Sequence, residues 1–143
     1  MPLAGSPSII GAVPAFDPPR HYLFVSASEP VGAAAAVCEW ENGPPDLCVT
    51  SPSAEAHGTG VFACAGHFVR IVEEPLLAGR NGDSTTDFAD RFAEALRVLL
   101  AFDGRAVLVV CDDVPAQWAT PLAANEEDLD RRAALIEQTL PLP

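Results

Sequence analysis

No lysine occurs in this chain; all eight basic residues are arginines. A Schiff-base lysine and a phosphate-loop lysine are thereby both excluded. Apolar runs are short, none reaching the roughly 18 residues of a membrane-spanning helix. The first twenty residues lack a basic stretch and carry five prolines, so they do not read as a secretion signal. They are expected to form a loose arm, and a cytoplasmic location is the default. None of the four cysteines, Cys38, Cys48, Cys64 and Cys111, belongs to a C-x-x-C pair, so no zinc site is signalled. Each sits in an apolar stretch and is read as a buried, reduced thiol.

Charged residues make up only 20% of the chain and hydrophobic ones 49%, enough for a core and unlike a disordered composition. At 143 residues the chain suits one compact domain, expected over residues 21–143 after the arm at 1–20. The net charge of −12 repels phosphodiester backbones and anionic lipid heads. Nucleic acid and membrane are therefore excluded as expected partners.

Apolar periodicity gives an alternating order of elements. Residues 22–27 read as a strand and 30–40 as an alanine-rich helix with Pro30 in its first turn. Residues 47–50 are a second strand, 54–65 a helix weakened by Gly58 and Gly60, and 67–72 a third strand. After a loop at 79–82, Ser84 caps a long helix with Asp87 three positions on, and Phe88, Phe92, Leu96, Leu99 and Leu100 form its apolar face. Residues 106–111 are continuously apolar, as in a strand covered on both sides. Residues 116–124 read as a loop, and Asn125 caps a last helix over 126–139. This rhythm predicts an α/β fold whose mostly parallel sheet carries helices on both faces, with ligands at the carboxyl ends of the strands.

The strand ends carry a familiar pattern. The first runs Ser26-Ala27-Ser28-Glu29, the second Ser51-Pro52-Ser53-Ala54-Glu55-Ala56-His57-Gly58-Thr59, and the last Cys111-Asp112-Asp113. Between them lie Pro75-Leu76-Leu77, Asn81-Gly82-Asp83-Ser84 and Arg91. In this order and spacing the chain resembles the histidine-phosphatase, or phosphoglycerate-mutase-like, superfamily. Glu29, Ser51, Pro52, Ala56, Thr59 and Arg91 fall in register with that pattern. The resemblance implies a three-layer α/β/α domain and phosphoryl transfer through a histidine nucleophile gripped by cations.

The residues for that chemistry are replaced. Where the resemblance implies an Arg-His pair, a phosphate-binding arginine and a second histidine, this chain has Ser26-Ala27, Glu55 and Asp112. Alanine cannot be phosphorylated, and two cationic positions have become anionic. At an effective dielectric of about 20, like charges about 4 Å apart repel by about 4 kcal/mol. A phosphoryl dianion facing Glu55 and Asp112 would be expelled. The pair Arg20-His21 precedes the first strand, which puts it at the opposite end of the sheet.

Two expectations result. One is a catalytically inactive, phosphatase-like pseudoenzyme that binds a protein partner or a small neutral or cationic ligand, without cofactor. The other is a repurposed enzyme in which clustered carboxylates serve acid/base chemistry or bind a divalent cation. The candidate pocket comprises Ser26, Ser28, Glu29, Ser51, Glu55, His57, Asn81, Cys111, Asp112 and Asp113. Each has a structural alternative: Glu55 favours a helix dipole, Asp112-Asp113 form a turn, and His57 is a surface residue. The arm's Ile9, Ile10, Val13 and Phe16 suggest docking onto the same domain or onto a second copy.

Overall fold

The computed structural model describes residues 19–115 and 118–139. The arm's Ile9, Ile10, Val13 and Phe16 lie outside the described residues. Within them the chain is an α/β fold of five strands and four α-helices. The strands are β1 (His21–Ser26), β2 (Leu47–Thr50), β3 (Arg70–Glu73), β4 (Ala106–Cys111) and β5 (Leu122–Asn125). The helices are α1 (Pro30–Glu39), α2 (Ala54–Ala63), α3 (Thr85–Leu99) and α4 (Glu126–Thr139). A 3-10 turn, Pro75–Leu77, follows β3.

The sheet order is β3-β2-β4-β1-β5, parallel throughout except for β5, which runs antiparallel to β1. β4 is inserted between β1 and β2, so it is hydrogen-bonded on both sides and buried at every residue. That explains its unbroken Ala-Val-Leu-Val-Val-Cys run. Alternate strand residues feed two separate cores. Tyr22, Phe24, Leu47, Val49, Val107 and Val109 pack with α3 and α4 through Phe88, Phe92, Leu96, Leu129 and Ala133. Leu23, Val25, Cys48, Leu108 and Val110 pack with α1 and α2 through Ala33, Val37, Ala56 and Ala63.

Helix entry obeys the local signals. Ser84 Oγ accepts from Asp87 N at 3.0 Å. Asn125 Oδ1 accepts from Asp128 N at 2.9 Å while Asp128 Oδ2 accepts from Asn125 N at 3.1 Å, a reciprocal cap. In α2 the glycine at position 60 is a packing device. A Cβ there would stand 3.0 Å from Cys48 Sγ and 3.2 Å from Thr50 Cγ2, so glycine lets the helix lie close on β2.

Three expectations need correction. Residues 122–124, expected in a loop, belong to β5; the segment has no β-branched residue and is a strand because β1 offers it a ladder. The third strand starts at Arg70 rather than 67, because Gly66, at φ +87°, turns the chain before it enters register with Leu47. Cys38 is exposed, while Cys48, Cys64 and Cys111 are buried. Ala33 and Val37, four apart, form the inward stripe of α1, which leaves Cys38 on its outer side.

Candidate functional site

β1, β4 and β2 are adjacent and parallel, so their carboxyl ends open onto one edge. The carboxyl ends of parallel strands are the usual place for a ligand in such folds. Ser26 pairs with Cys111 across the ladder, and Ala27 N donates to Cys111 O at 2.9 Å. Ser51 N donates to Val110 O at 2.9 Å. Ser26, Ala27, Ser51, Cys111 and Asp112 are thus brought together at one mouth.

The polar groups there are turned on one another. Ser51, fully buried, donates to Leu77 O at 2.6 Å and accepts from Asp112 N at 3.0 Å. It ties β2, the 3-10 turn and β4 into one knot. Ser53 Oγ caps α2 by accepting from Ala56 N at 3.0 Å and donates to Asp112 Oδ1 at 2.7 Å. Asp113 Oδ2 accepts from Arg80 N at 2.8 Å. Gly79 permits this: a Cβ there would stand 2.9 Å from that same oxygen. Thr59 Oγ1 donates to Ala27 O at 2.6 Å, fastening α2 to the end of β1. The Ser26 and Ser28 hydroxyls are 2.9 Å apart.

The adjoining acids turn to separate surroundings. Asp112 and Asp113 turn to different partners, Ser53 and the Arg80 backbone. Glu55 is exposed on the first turn of α2, where a negative charge favours the helix dipole. His57 is exposed one turn into the same helix, and Asn81 is exposed in a left-handed turn at φ +50°. Glu29 is exposed before α1 and, with Ser26, Gly32, Thr120 and Pro121, lines a cleft of about 30 Å³, the room of one water. Among the described residues no three His, Cys, Asp or Glu side chains gather as a metal site.

Nucleophile and cation are equally constrained. The Cys111 thiol is pushed up far beyond its ordinary range, first by complete burial and then by Asp112 and Asp113. It stays protonated and unreactive. Arg91 spends its guanidinium on the chain itself: it donates to Leu76 O at 3.0 Å, Ala78 O at 2.6 Å and Gly79 O at 2.9 Å, and pairs with Asp83 at 2.7 Å. Arg80 donates to Thr85 Oγ1 at 2.9 Å and lies over the Phe88 ring. Arg20 lies at the other end of the sheet, where it donates to Leu100 O and Phe102 O.

Four contributors escaped the sequence reading of the pocket: Ser53, Gly79, Arg80 and the Thr120–Pro121 wall. Ser53 carried a usable signal, a serine directly before a helix. The others depend on loop contacts that no local pattern encodes. Comparison with known proteins finds no match to a family, to a curated protein or to a solved structure.

Proposed function

We propose that this chain is a binding protein built as a degenerate, three-layer histidine-phosphatase-like domain, one that has given up phosphoryl chemistry. Its ligand at the strand-end mouth is a protein segment or a small neutral or cationic molecule. The observation that carries the reading is the state of the arginines and acids at that mouth. Arg91 and Arg80 are engaged by the chain itself, and the acids beside the mouth are fixed by Ser53 and by the Arg80 backbone. Ala27, which the resemblance aligns with the nucleophile, is buried and carries only a methyl group.

Two further observations support it. Alternate strand residues feed separate cores with α1 and α2 on one side and α3 and α4 on the other, as three layers require. Three of the six residues that match the family pattern hold the architecture together: Ser51 and Thr59 tie a loop and a helix to the strand ends, and Arg91 ties the loop after β3 to α3. Selection for the scaffold without the reaction would leave that signature. The acid/base alternative needs paired carboxylates, and of Glu29, Glu55, Asp112 and Asp113 only Glu29 lines the cleft beside Ser26.

The test is an aryl phosphate assay alongside calorimetric titration with inorganic phosphate. Neither turnover above buffer nor binding heat is expected. Turnover that disappears on Asp112→Ala would overturn the reading.

A further inference from the structure

A second surface lies at the far edge of the sheet, and it stands independently of whether the strand-end mouth binds anything. We infer that the free edge of β3 takes up an extended, acidic and apolar segment of a partner protein as an added strand.

The first ground is the open edge. Among the described residues β3 pairs only with β2. Glu74 N donates to Thr50 O at 2.9 Å, so the even-numbered positions of this segment turn their backbone groups toward β2. By strand alternation the N–H and C=O groups of Ile71 and Glu73 face outward, ready for a further ladder. Ile71 and Val72 are only half-buried, and the strand carries one exposed charge of each sign, Arg70 at its start and Glu73 at its end.

The second ground is apolar exposure in the helix and turn that lead into that strand. Val61 and Phe62 on α2 are 50% and 52% exposed, and Phe68, two residues before β3, is fully exposed. Aromatic side chains are enriched among the anchors of protein interfaces.

The third ground is charge. The chain has 20 acidic residues, yet none falls between positions 56 and 72. That stretch carries His57, His67 and Arg70, all exposed. On a molecule of net charge −12 this acid-free stretch, bounded by Glu55 and by Glu73 at the far end of β3, can face an acidic segment. A second copy fits less well, because it would bring its own Arg70 and His67 to the same edge and a second charge of −12 behind them.

The experiment uses the full chain and two fluorescein-labelled peptides, one alternating glutamate with valine and the other lysine with valine. Sodium chloride at about 0.1 M screens the distant acids and leaves the local flank to decide. The acidic peptide should bind saturably by fluorescence anisotropy and should slow amide hydrogen exchange at Ile71 and Glu73. Arg70→Glu and Phe68→Ser alter exposed side chains and leave the core intact; each should weaken binding about tenfold. Ile71→Pro removes an outward N–H and should abolish it. Three results would overturn the inference: no saturable binding of the acidic peptide, equal binding of the lysine peptide, or indifference to both Arg70→Glu and Phe68→Ser. So would a dimeric mass without peptide that the same two substitutions dissolve, since the edge would then belong to a second copy.

Discussion

Removing the Arg91 side chain would strand three carbonyls of one loop, those of Leu76, Ala78 and Gly79, and leave Asp83 without its ion pair. Charge-assisted hydrogen bonds of this kind are worth about 1.5–3 kcal/mol each before loop relaxation recovers part of the loss. Arg91→Ala should therefore lower the unfolding free energy by about 2–4 kcal/mol in urea titrations, within the range of broken buried networks. Arg91→Lys should recover little, because a single ammonium cannot reproduce the guanidinium fork. The cysteines give a second test at this scale. Cys38 is exposed, and the other three are buried, with Cys111 held protonated by burial and by Asp112 and Asp113. A maleimide should label the native chain once, at Cys38, and Cys38→Ser should abolish labelling until the chain is unfolded. The acids at the strand end were legible residue by residue, since Asp112 and Asp113 directly follow a continuously apolar strand. The partners of those acids were not legible, because Ser53 and Arg80 reach Asp112 and Asp113 only after three loops have met.

Among the elements, α2 offers a comparison within one helix. Gly58 has open space around its missing side chain, while a Cβ on Gly60 would press on Cys48 Sγ and Thr50 Cγ2. Gly58→Ala should stabilise by about 0.5–1 kcal/mol through helix propensity. Gly60→Ala should instead destabilise by about 1–3 kcal/mol, the cost of overpacking. Thermal unfolding of the two variants checks the sign directly. The cap of α4 carries a pH dependence. The Asn125 backbone N–H, and then Arg131, hold the Asp128 carboxyl below its ordinary range. Its folded value lies below its unfolded value, so its contribution is complete above the unfolded value and disappears as pH falls through the folded one. The stability gap between the native chain and Asp128→Ala should therefore narrow between neutral pH and about pH 3. The starts of α3 and α4 were readable because a cap is a local device. β5 was not, since Leu-Ala-Ala-Asn has no strand preference of its own and is recruited by β1.

Charge governs the molecule as a whole. With 20 acidic and 8 basic residues, a large carboxylate excess persists even where arginines are paired. The pairs on the surface, Arg97 with Glu137 and Arg131 with Asp128, contribute little by themselves. Self-repulsion of the excess charge should dominate the response to salt. Screening lengths fall from about 30 Å at 0.01 M to about 10 Å at 0.1 M, so sodium chloride should relieve that repulsion before it dissolves the close pairs. The melting temperature is therefore expected to rise over this range, as read by circular dichroism. A fall would mean that the ion pairs outweigh the net charge. The same field bears on association at the β3 edge. At the longer screening length an approaching acidic peptide meets the field of the whole molecule, which repels it. At the shorter one it meets mainly the acid-free flank around His67 and Arg70, which does not. Stopped-flow mixing with the acidic peptide at the two salt concentrations measures this: the association rate should rise together with the melting temperature. A rate that fell with salt would mean that the local basic groups already outweigh the distant acids, and a rate independent of salt would assign the contact to its apolar anchors alone.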